Sequence, residues 1–196
     1  TWPGPGVGAG TSRSSRTSGP PWDRKPKIRM PPIVPMLAAM ITDVDRDWLA
    51  RAVDLARQAL DAGDEPYGSV LVGADGTELF ADHNRISGGD ATRHPEFAIA
   101  RWAAGNLTAQ GRADAVVYTS GEHCAMCSAA HGWVGLGRIV YAASSAQIGQ
   151  WRAELGHPPA AVNAIPVQDV VPGIVVDGPD DEQGARVKEL VARMPR

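Results

Sequence analysis

The chain has 196 residues, 43% of them hydrophobic, 21% charged and 6% aromatic, enough for one globular core of ordinary size plus some excess. No apolar run approaches the ~20 residues that cross a bilayer, and neither a glycine period nor sustained heptads occur, so membrane-spanning, collagen-like and coiled-coil readings are excluded. Eight of the sixteen prolines fall within residues 1–35, together with six Lys/Arg against Asp23 alone, net +5, which leaves 13 positive and 21 negative side chains, net −8, in residues 36–196.

Residues 1–35 therefore read as a disordered extension whose composition buries too little apolar area to offset chain entropy. The basic stretch Arg24–Arg29 before Met30–Ile41 imitates a signal peptide, but three prolines break the apolar part and no small-x-small cleavage site follows, so a cytoplasmic location is expected. The acidic balance of residues 36–196 argues against a large polynucleotide partner.

Thr42 caps a helix whose apolar residues Trp48, Leu49, Ala52, Val53, Leu55, Ala56, Ala59 and Leu60 recur at helical spacing, closed by Gly63. Ser69–Gly73 and Thr77–Ala81 flank Asp75-Gly76 as a hairpin. A Gly88-Gly89-Asp90 loop leads to a helix over His94–Ala104. Residues Ala113–Thr119 form a buried strand, Cys124–Val134 a helix, Arg138–Ala143 a strand, Ala146–Leu155 a short helix, Val167–Val171 a fifth strand and Asp180–Met194 a last helix. Helices between strands three, four and five favour parallel pairing in a sheet covered on both faces. Trp48 and Trp102 are expected in the core, and Asp180-Asp181-Glu182 as the acidic first turn of the last helix.

Only two cysteines occur, Cys124 and Cys127, in Glu122-His-Cys-Ala-Met-Cys127. Redox pair, disulfide and zinc half-site compete for them. A lone bridge without a secretory signal is a poor disulfide framework, and the motif lies too late in the chain for a thioredoxin-like pair. The zinc reading gains from Arg93-His94-Pro95-Glu96, which opens a helix just as Cys124 does. His94, Cys124 and Cys127 supply three ligands, and a three-ligand tetrahedral zinc keeps one vertex open, the mark of a catalytic site. Glu96 is the carboxylate that handles the proton of the activated water. It faces the site only if His94 stands at the very start of the helix, which Pro95 favours. His131 shares a helical face with both cysteines and is the rival fourth ligand; it sits a full turn deeper, too far for a Zn–N bond of about 2.0–2.1 Å.

His94-x-Glu96 with Cys124-x-x-Cys127 resembles the zinc-dependent cytidine/deoxycytidylate deaminase superfamily. The resemblance extends to Glu65-Pro-Tyr-Gly-Ser-Val-Leu-Val72, Asn84 and Asp90-Ala-Thr-Arg-His94, over roughly residues 42–145, and is greatest to the branch of guanine, cytosine and tRNA adenosine deaminases. It implies an α/β fold, a three-layer α/β/α sandwich around a five-stranded mixed sheet, with a deaminase domain over 36–196. It implies zinc held by His94, Cys124 and Cys127, Glu96 as proton shuttle, and Asn84 orienting the base. Two departures stand out: the usual proline before the first cysteine is His123, with Gly121 loosening the same loop, and the next helical turn carries His131.

His123, Trp151 and Gln147 are the further candidates for substrate contact, the last two lying in the segment where the family builds its pocket wall. The expected activity is hydrolytic deamination of a small aminated base of guanine, cytosine or aminotriazine type by a homodimer, without membrane or nucleic-acid partners. A tRNA adenosine deaminase and a non-catalytic zinc module are the alternatives.

Overall fold

The computed structural model describes residues 41–195, so the extension expected over 1–35 lies outside the described residues. Helix α1 (Asp43–Asp61) begins at Thr42, whose hydroxyl accepts from the Asp45 N–H while the Asp45 carboxylate accepts from the Thr42 N–H, a reciprocal capping box. It ends before Gly63, which adopts φ 88°. Strands β1 (Gly68–Val72) and β2 (Glu78–His83) form the antiparallel hairpin, with a register shift between Leu71 and Val72 and Gly76 at φ 79° in the turn. A 3-10 turn (Ile86–Gly88) leads to α2 (Pro95–Asn106), with His94 as N-cap and Pro95 in the first turn. Then come α3 (Ala109–Asp114), β3 (Val116–Gly121), α4 (Ala125–Val134), β4 (Ile139–Ala143), α5 (Ser145–Glu154), α6 (Val167–Val170), β5 (Val176–Asp177) and α7 (Asp181–Ala192).

Two expectations are corrected. The third strand starts at Val116, because Thr108 caps a short helix by accepting from the Gly111 N–H and takes residues 113 and 114 into it. The fifth strand is not Val167–Val171. There the Val171 N–H returns to the Val167 carbonyl, making one helical turn, and pairing with β4 waits until the chain has passed Gly173 at φ 83°, so the strand is only Val176–Asp177.

The sheet order is β2-β1-β3-β4-β5, with β1 antiparallel to both neighbours and β3, β4 and β5 parallel. Alternation along the strands makes two apolar faces. Val70, Val72, Tyr118, Val140 and Ala142 pack with Leu49, Val53 and Ala56 of α1 and Val187, Leu190 and Val191 of α7. Leu71 and Val117 pack with Ile99, Ala100 and Ala103 of α2. The result is a three-layer α/β/α sandwich. Trp48 stacks on Tyr118 and Trp102 on Phe80, both as packing residues.

One buried charge cluster ties the first face together. Asp45 accepts from Arg138 at 2.8 and 3.2 Å and from the Tyr118 hydroxyl at 2.9 Å, and Arg138 also donates to Asp177 at 2.6 Å. Burial pushes the Asp45 carboxyl up, but the Arg138 guanidinium and the Thr42 backbone and hydroxyl outweigh it and bring it down to about 2.

Candidate metal centre and active site

Two helix N-termini meet at the carboxyl end of β3. His94 caps α2, Cys124 caps α4, and neither side chain makes a capping bond, so both are free to turn inward. The positive ends of both helix dipoles favour thiolate there. The sulfurs of Cys124 and Cys127 are 3.5 Å apart, and His94 Nδ1 is 3.6 Å from each. A tetrahedral zinc with Zn–S of about 2.3 Å and Zn–N of about 2.0–2.1 Å has ligand–ligand edges of about 3.8 and 3.6 Å. The three donor atoms thus already span one face of such a tetrahedron. Among the described residues they are the one group of this kind, and His131 is outside it.

The donors titrate as a unit. Contact with the Cys127 sulfur holds the Cys124 thiol down at about 4, whereas the Cys127 thiol is pushed up, first by its contact with Cys124 and then by burial. Contact with Cys124 raises His94. This half-buried, electron-rich cluster is the environment that a divalent cation neutralises.

Glu96 is two residues into the same helix start and only 6% exposed. The Ser69 and Thr119 hydroxyls, from β1 and β3, each lie 2.8 Å from its Oε1. Its Oε2 is left facing the metal ligands, 3.8 Å from Cys127 Sγ. Burial pushes the Glu96 carboxyl up, opposed by the His94 charge and by the two hydroxyls. A raised carboxyl is suited to taking and returning protons near neutrality.

Asn84 follows β2 and is fully buried. Its N–H donates to the Tyr67 carbonyl at 2.9 Å and its Oδ1 accepts from the Ile86 N–H at 3.1 Å, while Nδ2 has no partner among the described residues. Outside His94 a cleft of about 320 Å³ opens, lined by Phe97, Arg85, Arg93 and Arg101 among others.

The remaining sequence candidates have other neighbours. Gln147 spends its amide oxygen on the Ser144 N–H and hydroxyl in the capping box of α5. Trp151 packs against the α1/α7 core with the Lys188 ammonium 5.7 Å above its ring. His123 is buried beside His131, ring centroids 5.3 Å apart and nearly perpendicular. Burial holds His123 well below the usual imidazole range, with the His131 charge adding to the effect, and burial lowers His131 too. His131 Nε2 lies 2.9 Å from the Gly137 carbonyl, so that nitrogen carries the proton.

Gly121 does not loosen the loop. It ends β3, and a Cβ there would stand 2.9 Å from Ile148 Cδ1 and 3.3 Å from the Tyr67 ring, so a larger residue would have to displace the end of the Ile148 side chain. Sequence reasoning also missed Glu122, whose two carboxylate oxygens accept from the Ser145 and Val167 N–H groups at 2.9 and 3.1 Å and so brace the segment before Cys124. It missed the Glu65–Arg152 pair as well, closed at 2.8 Å. Only the place of Glu65 beside Pro66-Tyr67-Gly68 signalled it.

Residues 42–143 match the cytidine and deoxycytidylate deaminase zinc-binding region. The chain belongs to this family. It is similar to a probable cytosine deaminase from Schizosaccharomyces pombe, at 30% identity over 132 residues, covering 66% of this chain and 79% of that protein. It is also similar to a guanine deaminase from Bacillus subtilis, at 37% over 98 residues, covering 49% of this chain and 62% of the relative. Among solved structures, a guanine deaminase from Nitrosomonas europaea superposes with a TM-score of 0.55 at 22% identity, over 74% of this chain and 83% of that one. A structure from work on tRNA:A34 deaminases gives 0.52 at 24% identity, over 74% and 99%. Both support the cytidine deaminase-like fold. As a member of this family the chain is a zinc-dependent deaminase, a hydrolase of C–N bonds. No helix among the described residues is long and apolar enough to cross a membrane.

Proposed function

We propose that the protein removes ammonia hydrolytically from a small aminated nucleobase or nucleobase-like heterocycle of guanine, cytosine or aminotriazine type. The observation that carries this reading is the convergence of His94 Nδ1 and the two sulfurs within 3.6 Å of one another, with Glu96 Oε2 3.8 Å from Cys127 Sγ. His94, Cys124 and Cys127 would hold the zinc and Glu96 would remain outside its coordination sphere.

When bound, zinc supplies a Lewis acid that lowers the pKa of water and makes it a nucleophile toward the amine-bearing ring carbon. Glu96 takes one proton of the attacking water at Oε2 and delivers it to the ring nitrogen, then takes the second, from the hydroxyl now on the ring carbon, and delivers it to the amine as the C–N bond breaks and ammonia leaves, while Ser69 and Thr119 fix Oε1 and hence the carboxylate plane. Asn84 donates from Nδ2 to an acceptor on the base; its backbone bond to Tyr67 and its Oδ1 bond to Ile86 fix the amide orientation. The free-base substrate is favoured over a polynucleotide by the net −8 of residues 36–196. A homodimer is proposed with it, on the family resemblance.

The test is an ammonia-release screen of the zinc-loaded chain over aminated purines, pyrimidines and triazines, with tRNA as a parallel arm. Turnover of a free base supports the reading. Turnover of tRNA adenosine alone, or of nothing, overturns it.

A further inference from the structure

The charge of the cleft outside His94 departs from that of the rest of the chain. Residues 36–196 carry net −8, yet Arg85, Arg93 and Arg101 line this cavity against Asp82 and Asp90. Both carboxylates are engaged locally. Asp82 Oδ1 accepts from Arg85 Nη2 at 2.7 Å, and Asp90 Oδ1 accepts from the Thr92 N–H at 2.9 Å and from its hydroxyl at 2.6 Å. The guanidinium groups of Arg93 and Arg101 meet no acceptor among the described residues, whereas every other arginine there pairs with a carboxylate or donates to a backbone carbonyl. Where acids are in excess an ordinary surface arginine finds a partner. The two that do not both border one cavity, and that cavity is also bordered by a metal ligand.

The local structure explains the arrangement. His94, Phe97, Ala98 and Arg101 recur at helical spacing, so one face of α2 forms a wall running from the metal ligand to Arg101, about 10 Å along the helix axis. The remaining lining comes from the loop that carries Arg85 and Arg93, tied across itself by the Arg85 N–H to the Arg93 carbonyl at 3.1 Å. At about 320 Å³ the cavity stands at the lower end of small-molecule sites, which run ~300–1,000 Å³.

We propose that Arg93 and Arg101 hold a phosphate group in this cleft, and that the aminated heterocycle processed at the metal centre carries this phosphate on a substituent. The inference rests on the deaminase reading given above and narrows it: the bare base is the weaker substrate and its small phosphate ester the better one.

Two guanidiniums from separate segments suit a tetrahedral dianion, which presents oxygens in several directions. A carboxylate keeps its oxygens in one plane and matches a single guanidinium fork. Phe97, between His94 and Arg101, offers apolar surface to the part of the ligand that joins ring to phosphate. A polynucleotide is disfavoured by the net negative charge around the cleft. One charge-assisted bond corresponds to about 10- to 100-fold in affinity.

The experiment compares cytosine, cytidine and cytidine 5′-phosphate, and guanine, guanosine and guanosine 5′-phosphate, with tRNA as a further arm. Ammonia release is measured on the zinc-loaded full chain, on Arg93→Gln, on Arg101→Gln, on their combination and on Arg51→Gln. Arg51, on α1 and paired with Glu78, controls for the loss of one positive charge. Calorimetric titration of the esters and of inorganic phosphate into Glu96→Gln, alone and combined with Arg101→Gln, reads binding without turnover.

The expected kcat/KM for the phosphate ester exceeds that for its nucleoside by about 10- to 100-fold in the unsubstituted chain and in Arg51→Gln. The ratio should fall about tenfold in Arg93→Gln and in Arg101→Gln, mostly through KM, and approach one in the double variant. Inorganic phosphate should compete with the ester. Equal kcat/KM for ester and nucleoside, or a preference that survives in the double variant, overturns the inference and leaves the deaminase reading standing. Inorganic phosphate that binds at the arginines while ester and nucleoside react equally assigns the cleft to a separate ion and overturns it too, as does turnover of tRNA alone. Arginine-dependent binding of the esters with no ammonia released from any compound supports the phosphate site and sinks the deaminase reading instead.

Discussion

Glu96 Oε2 lies 3.8 Å from Cys127 Sγ, while its other oxygen is fixed by hydroxyls from two strands. The carboxylate is thus next to the metal ligands yet oriented by groups that have nothing to do with the metal. This separation of holding from reacting means that the two roles can be tested separately.

Replacing Glu96 by Gln keeps the shape and the Ser69 and Thr119 contacts but removes the proposed proton carrier. Ammonia release should fall by about 10²–10⁴-fold, the range for a positioned general acid–base group, while elemental analysis still finds one zinc per chain. Loss of the metal together with activity would make Glu96 a ligand.

Ser69→Ala removes a hydroxyl that steadies the charged form of Glu96. The Glu96 carboxyl, already raised by burial, should rise further, so the acid limb of the kcat/KM profile should move to higher pH in the variant. A limb that stays in place, or moves to lower pH, would show that the limb does not report Glu96.

Asp45 makes stability depend on acid. Its carboxyl sits at about 2 in the folded chain, against about 3.9 for an unfolded aspartate, which corresponds to about 2.6 kcal/mol as an upper value. Because the folded value is the lower one, that stabilisation is fully present above pH ~5 and is lost as pH falls through about 4 to 2. Asp45→Asn should lower stability at pH 7 by about 2 kcal/mol or more, since it also leaves Arg138 short of a partner, and should flatten denaturant-measured stability over that acid window. Equal acid slopes in the two proteins would remove Asp45 from the account.

Two glycines should respond in opposite directions. A Cβ on Gly68 would meet the Ala52 carbonyl at 2.5 Å and the Ala56 nitrogen at 2.6 Å, so β1 and α1 approach too closely for any side chain. Gly68→Ala should destabilise by about 3 kcal/mol. Gly149, inside α5, has nothing within 4 Å of a Cβ, and Gly149→Ala should stabilise by about 0.5–1 kcal/mol. Thermal melts of the two variants check the sign of each.

The elements that the sequence made legible are those whose local signals and burial agree. Thr42 with Asp45, the alternation through β1, and His94-Pro95 at a helix start each satisfy a local rule that the packed structure also needs. Val167–Val171 misled because β-branched residues there serve a single helical turn held by the Glu122 carboxylate, a partner 45 residues away. The convergence of His94, Cys124 and Cys127 with Glu96 beside them could be read from motif spacing, since helix starts place them with little tertiary help. The neighbours of α5 could not be. Trp151 has the residue type suited to stacking but is held by Lys188 and the core, whereas Arg152 beside it meets Glu65 only through the packing of α5 on the end of β3.

X-ray absorption at the zinc edge of the purified chain tests the central claim most directly. The account predicts one zinc per chain with two sulfurs at about 2.3 Å, one imidazole nitrogen and one further light atom at about 2.0–2.1 Å that exchanges with solvent. A fourth protein ligand such as His131, or a chain that takes up no stoichiometric zinc, would contradict it.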